Sequence, residues 1–326
     1  MRISQRLFLV LALACGGLAT VAHAQEKFPS KAIRFVVPWP PGGASDIVAR
    51  LIGQKMSESL GQPVVIDNKA GAGGMVGAEA VARSPADGYT MLYGSTGPNA
   101  INAAFYKKMP YDPVKDFAGV TQVNVLPMVL LVNPTVPAKS LKELIDLAKA
   151  KPGVLNFGSV GSGSAHHLAG EMLKTMAKVD IVHIPYKGSA PAMNDVVAGR
   201  IQILFDTVLA AAPHIKAGTV RAIAVSSAKR VDQLPDIPTV AEAGVPGFEI
   251  NIWQNVVVAA NTPAPVRARL SSEIHKALSA PDVKEKLESL GMITTLNAPD
   301  EESARLQAEV AKWKQLVKDA GIQQED

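Results

Sequence analysis

The chain has 326 residues, with 33 Lys and Arg against 29 Asp and Glu and one cysteine, Cys15. Arg2, Arg6 and Cys15 lie ahead of Gln25, so a chain beginning there keeps 31 basic against 29 acidic side chains and no thiol. That balance excludes electrostatic capture of nucleic acid, and the missing thiol excludes a disulfide scaffold, a cysteine nucleophile and a zinc–thiolate site.

The first 24 residues read as a secretory leader: Arg2 and Arg6, the apolar run Leu7 to Ala14, then Ala22-His23-Ala24 as a small-x-small cleavage site. The apolar run is shorter than the roughly 20 residues that span a bilayer. Ala12-Leu13-Ala14 is a poor lipidation box ahead of Cys15. The reading is export to the periplasm with cleavage after Ala24.

Strand-like and helical runs then alternate. Ile33 to Val37 forms a strand running into Pro38-Trp39-Pro40-Pro41-Gly42-Gly43-Ala44-Ser45-Asp46, an irregular loop that opens a helix near Ser45. Prolines remove donors there, the glycines leave the backbone bare, and the free N–H groups of the first helical turn suit a small anion. Val64 to Ile66 is a second strand, followed by the glycine-rich stretch 71–77 and a helix to about Arg83. Those glycines miss the G-x-G-x-x-G spacing, so the stretch reads as a turn with close helix packing. Tyr89 to Tyr93 is a strand ending in Gly94-Ser95-Thr96-Gly97-Pro98-Asn99, and residues 105–120 are loop-rich.

Ser140 caps a helix to about Lys149, with Glu143 completing a capping box. Strands at 154–158, 181–185, 201–205 and 220–225 alternate with helices at 164–178, 190–198 and 208–217. Residues 232–248 break the pattern with prolines and acids; strand 250–259 and helices near 263–279, 281–290 and 300–320 close the chain. Such alternation predicts an α/β fold with parallel-rich sheets flanked by helices. About 300 residues suit two lobes. The breaks place residues 25–124 and 232–326 in lobe 1 and the inserted residues 125–231 in lobe 2, with a ligand cleft between them.

The junctions 38–46, 94–99 and 158–164 lie where open parallel sheets bind ligands. None carries a fixed arginine, so the expected donors are backbone amides and the hydroxyls of Ser95, Thr96, Ser159, Ser162 and Ser164, with Asp206 at the same edge of the inserted lobe. Asp46 suits a local cap. His166 and His167, with Glu171 four positions after the latter, read as packing or capping residues, and Lys187 as a solvated cation. Trp253 either walls the pocket or fills a core. No G-x-S-x-G surrounds the serines of 158–164, which weakens a serine-hydrolase reading.

The runs PWPPGGASD at 38–46, QPVVIDNKAGAGG at 62–74, DGYTML at 87–92, GSGSAHHLAGE at 161–171 and HIPYKGSAPAMNDVVAGR at 183–200, followed by Phe205-Asp206, resemble the Bug-type solute receptors of the tripartite tricarboxylate transporter family. The resemblance covers nearly all of the exported chain. It implies a two-lobed periplasmic binding protein of the type II fold, a monomer without cofactor, closing on a small mono- or dicarboxylate and delivering it to membrane permease subunits. The family's carboxylate-gripping loops correspond here to Pro40, Pro41, Gly42, Gly43 and Ala44 and to Gly161, Ser162, Gly163 and Ser164. Trp39 stands where the family more often has phenylalanine, and Ser162-Gly163-Ser164 departs from the commoner Gly-Thr-Pro; both alter the pocket lining. Ser95, Thr96, Asn99, Ser159 and Asp206 complete the expected ligand-binding set. A sensing module docked on a signalling partner would use the same pocket.

Overall fold

A computed structural model describes residues 28–319, 321, 322 and 324. The leader and its cleavage site lie outside the described residues. Lys31–Asp326 forms one compact unit. Its strands make a ten-stranded mixed sheet in the order β2-β1-β3-β9-β4-β7-β5-β6, with β8 and β10 joined to β4.

The first end of the sheet is β1 (Ile33–Val37), β2 (Val64–Asn68) and β3 (Thr90–Ser95), joined in parallel by α1 (Ala44–Leu60) and α2 (Met75–Ala82). Helix α1 buries Val48, Ala49, Ile52 and Met56, spaced on one helical face. It stops at Gly61, whose φ of 68° is a left-handed cap, with its amide donating to the Ser57 carbonyl. After β3 come a π-helical turn (Gly97–Ile101) and the short α3 (Asn102–Phe105). The other end holds β5 (Asn156–Ser159), β6 (Val182–Pro185) and β7 (Ile203–Thr207), also parallel, with α5 (Ala165–Ala177) and α6 (Ser189–Val197) between them. Helix α4 (Leu141–Ala150) precedes β5; α7 (Val208–Lys216) and β8 (Arg221–Val225) follow β7. The expected N-cap is there, with Ser140 Oγ accepting from the Glu143 amide, while Glu143 reaches one residue past the cap to accept from the Lys139 amide.

Two antiparallel strands link the ends. Strand β4 (Phe117–Val132) pairs β9 (Asn251–Ala259) through Pro127, then turns to β7 and β8 from Met128 onward. The sheet is therefore parallel only at its two ends. The first four residues of β4, 117–120, fall in the stretch 105–120 that the sequence marked as loop-rich, and Pro127, opposite Asn251, disguises its continuation. The sequence also placed Gly94 and Ser95 in a loop; both belong to β3.

The chain closes with α8 (Ala264–Leu278), α9 (Pro281–Ser289), β10 (Ile293–Thr294) and α10 (Pro299–Asp319). Helix α10 buries Leu306, Val310, Trp313 and Val317, its i, i+4, i+7 and i+11 stripe. Its Glu309 carboxylate accepts both indole N–H groups, from Trp253 at 2.8 Å and Trp313 at 3.1 Å. The Arg305 guanidinium stacks on Trp253 at 4.1 Å, so Trp253 belongs to the seam between α10 and β9. The main core runs beneath both ends of the sheet, from Val36 and Leu92 through Val257 and Met128 to Phe157 and Phe205. Each such side chain contributes about 1.5–3 kcal/mol by burial. A second cluster, Val129, Leu131, Ala192, Val196 and Leu204, packs the opposite face of β4 and β7.

Candidate functional site: three strand-to-helix junctions

The first junction, 38–46, leaves Pro40, Pro41, Gly42 and Gly43 exposed and Trp39 and Ala44 half-buried. Gly43 is the N-cap of α1 with no side-chain cap, so the first amides of that helix have no intrahelical acceptor. Asp46 is 2% exposed and accepts from the Gly42 amide, Arg50 Nε and Asn68 Nδ2, each at 2.9 Å. Burial pushes its pKa up, but the bonds from Arg50, Gly42 and Asn68 outweigh that and hold it below the usual carboxylate range. Asp46 thus anchors the loop, Arg50 is committed to it, and the Gly42 amide is spent internally. Asn68 Nδ2 also donates to the Trp39 carbonyl at 3.1 Å.

The second junction meets the first at one side chain. Ser95 lies opposite Gln254 in the β3–β9 ladder, and Gln254 Nε2 donates to Ser45 Oγ at 2.6 Å. Gln254 Oε1 accepts from Tyr93 Oη at 2.8 Å and Asn124 Nδ2 at 2.9 Å, so the meeting point is held from β3, β4 and β9. The glycine-rich stretch braces both junctions from behind. A Cβ on Gly77 would sit 2.8 Å from Pro38, and one on Gly74 would sit 3.1 Å from Pro98. Close packing, as read from the sequence, is what these glycines do.

The third junction, Ser159 to Ser164, is built inward. Ser164 caps α5, accepting from the His167 amide and donating to the Gly161 carbonyl. Gly163 has φ 71°, its amide donates to His167 Nδ1 at 3.2 Å, and a Cβ there would lie 2.7 Å from the Phe105 ring. Phe105, at the end of α3, also meets His167 edge-on. The junction of one sheet end is thereby seated against the helix that follows the second junction.

Residues 48–322 match the family described as the tripartite tricarboxylate transporter family receptor. The chain belongs to this family. Solved relatives agree along the whole fold. The Rhodopseudomonas palustris protein Rpa4515, solved with adipate, is 38% identical, with a TM-score of 0.80 over 91% of this chain and 100% of its own. The periplasmic binding protein BugD is 35% identical, TM-score 0.77, over 91% and 100%. MatC from Rhodopseudomonas palustris, solved with bound malate, is 33% identical, TM-score 0.75, over 89% and 100%.

The polar side chains of the junctions are bonded within the receptor. Thr96 Oγ1 accepts from the Trp253 amide at 2.8 Å and donates to its carbonyl at 3.2 Å. Asn99 is fully buried and donates to Asn255 at 2.9 Å, in a chain that continues to the buried Glu302. The Ser159 hydroxyl is fully buried, accepts from the Gly161 amide and lies 2.7 Å from His183 Nε2. The side chains of Thr96, Asn99, Ser159 and Ser164 thus all have partners within the protein. For Thr96, Asn99 and Ser159 the physical reason is burial: a hydroxyl or carboxamide out of water needs an internal partner. Ser162, in contrast, is exposed, while Ser95 is buried at the strand end, opposite Gln254 in the ladder.

Asp206 stands at the end of β7, 1% exposed, accepting from the Thr207 amide at 2.7 Å and Ser189 Oγ at 2.5 Å. His166 Nε2 lies 3.5 Å from its Oδ1. His167 and His183 stack at 3.9 Å between ring centroids. Burial, then the neighbouring His183 and Lys174, push the His167 pKa down to about 3; burial, then Lys174, take His183 to about 4. Both rings are neutral at pH 7. Sequence spacing could not place His183 beside Ser159, but the parallel β5–β6 register does, with Phe157 opposite His183 and Ser159 opposite Pro185. Lys187 is exposed. Among the described residues no group of three or more His, Cys, Asp or Glu could hold a metal ion, and no helix is long and apolar enough to cross a membrane.

Proposed function

We propose that this receptor captures a small mono- or dicarboxylate and hands it to membrane permease subunits of a tripartite tricarboxylate-type transporter. In this reading residues 25–124 with 232–326 form one lobe and 125–231 the other. The chain works in the periplasm, after cleavage behind Ala24, as a monomer without catalysis. The observation that carries the reading is the pair of helix starts, α1 behind Gly43 with no side-chain cap and α5 behind Ser164, whose hydroxyl takes the His167 amide and leaves those of Ala165 and His166 without an intrahelical acceptor; Arg50, beside the first, is already paired. Amides at a helix start hold a carboxylate without a charged side chain. The adipate and malate of the two solved relatives are ligands of this kind. The donors on this side of the reading are the amides of Gly43 and Ala44, those opening α5, and the hydroxyls of Ser95 and Ser162.

Thermal unfolding in the presence of adipate and malate tests it. Ligand that binds only the folded state should raise the melting temperature in step with the logarithm of its concentration. A rise with sugars or cations and none with any small acid overturns the reading.

The 2.7 Å contact between Ser159 and His183 favours a second reading, a serine hydrolase. Against it, Ser159 has no exposed surface and His183 is stacked between aromatic neighbours, Phe157 at 5.0 Å and His167 at 3.9 Å. A nucleophile must reach its substrate. Labelling by a serine-directed fluorophosphonate would establish the hydrolase; its absence is the expected result.

A further inference from the structure

Ser45 is the second residue of α1, at the helix start the carboxylate reading uses, and it is half-buried. The first amide bonded along that helix is that of Ile47, on the Gly43 carbonyl at 3.0 Å, so those of Ala44 and Ser45 are left over. The Ser45 hydroxyl oxygen accepts from Gln254 Nε2 at 2.6 Å. Among the described residues no acceptor takes its hydrogen. Gln254, on β9, is buried, so the contact occupies the inner side of the Ser45 oxygen. A hydroxyl hydrogen with no partner inside the protein turns to the side that water or a ligand reaches.

The direction of that contact is fixed from behind. Burial pushes the Tyr93 pKa up, so the phenol stays neutral and keeps its proton to donate. That proton goes to Gln254 Oε1 at 2.8 Å, and Asn124 Nδ2 donates to the same oxygen at 2.9 Å. Turning Gln254 alone would set its NH2 group against that of Asn124. Turning both carboxamides would bury the Asn124 NH2 group where its Oδ1 now has no partner, and orphaned buried donors are rarer than orphaned acceptors. A line of neutral donors therefore runs from Tyr93 and Asn124 through Gln254 to Ser45, each bond polarising the next.

We propose that Gln254 is a positioning residue that makes the Ser45 hydroxyl a preset donor to the bound carboxylate. The inference rests on the carboxylate-binding reading above. It adds to the backbone amides one side-chain donor held from β3, β4 and β9, which loses little freedom when the acid arrives. A hydrogen bond to an ionised acceptor is also stronger than one between neutral groups.

Calorimetry on the full exported chain tests it, with acetate, succinate, malate and adipate as probes. For whichever acid binds best, Ser45→Ala should weaken binding at least about tenfold, and Ser45→Thr, which keeps the hydroxyl, by less than about threefold. Gln254→Met removes the hold on Ser45 and keeps the volume. It should weaken binding about fivefold or more in the parent but less than about twofold once Ser45 is alanine, because it acts through that hydroxyl. A residue that only supports the fold would lower affinity equally in both backgrounds, and that result overturns the inference. Normal binding by Ser45→Ala, or a threonine variant as weak as the alanine one, also overturns it. Should Gln254→Met not fold, Tyr93→Phe removes the first donor of the line and enters the same cycle; equal losses in the two backgrounds again overturn the inference. Failure of every acid in the parent overturns the carboxylate reading and this inference with it, whereas binding that ignores Ser45 overturns this inference alone.

Discussion

The junctions that open α1 and α5 both present a helix start at a strand end, by opposite means: Gly43 leaves the first uncapped and Ser164 caps the second. At 38–46 the loop stays exposed and is tied from outside by one carboxylate, Asp46, braced by Arg50 and Asn68. At 158–167 only Ser162 is exposed, and the loop is tied by its own neutral groups, Ser159, Ser164 and His167, with Gly163 under the ring of Phe105. The first construction keeps a charge close to an anion site and tolerates change at its surface. The second avoids the charge but fills the space with titratable rings and leaves no room for a side chain. The contrast teaches that a loop presenting amides can be tied by an ionised carboxylate or by neutral hydroxyl and ring groups, and this chain uses one solution in each half.

The largest effect should come from forcing a side chain into the buried junction. Gly163→Val must adopt φ 71° and displace the Phe105 ring, so denaturant unfolding should show a loss of about 2–4 kcal/mol. A normal unfolding midpoint would show that the loop is not packed as described. Acid should separate the junctions next. His167 and His183 have depressed folded-state pKa values, so the unfolded chain binds protons that the folded one refuses. Their contribution is complete above the unfolded value near 6.5 and is lost as pH falls toward 4 and 3. Between pH 7 and 5 each histidine should cost up to about 2 kcal/mol, lessened for His167 by Glu171, 3.8 Å from its Nε2, and sharpened by Lys174. His183→Gln should remove close to half of that acid sensitivity; an unchanged slope would place its origin elsewhere.

At the exposed junction a substitution should split binding from stability. Gly43→Asp meets nothing closer than the Pro40 carbonyl at 3.8 Å and puts a capping carboxylate at the start of α1. Stability should be unchanged or rise by a few tenths of a kcal/mol, while affinity for a bound dicarboxylate should fall at least about tenfold. Equal affinity in calorimetry would remove this helix start from the site. The smallest effect should be at Lys187, exposed and apart from both constructions, where alanine should alter affinity by less than about twofold.

Much of this organisation was legible in the sequence. The alternation of strands and helices, the capping at Ser140 and the bare loop at 38–46 depend on local chemistry, and local chemistry is written in the order of residues. Strand β4 was hidden because Pro127 and the turn-rich residues before Phe117 mimic a loop, and only its pairing with β9 makes Pro127 tolerable. The internal partners of the junction hydroxyls were hidden for a different reason. Nothing in a Ser or Thr says whether its partner will be a ligand or, as for Thr96, a backbone 157 positions away. Ser162 and Ser164 are two apart, yet one is exposed and the other caps a helix.

The clamp of Glu309 on two indoles has an optical consequence. The chain has three tryptophans, and two of them, Trp253 and Trp313, are buried and fixed by the same carboxylate. Their emission is set by that shared environment. Trp39, half-buried in the exposed junction, is the remaining fluorophore, so a change in intrinsic fluorescence on titration reads the ligand loop without any label.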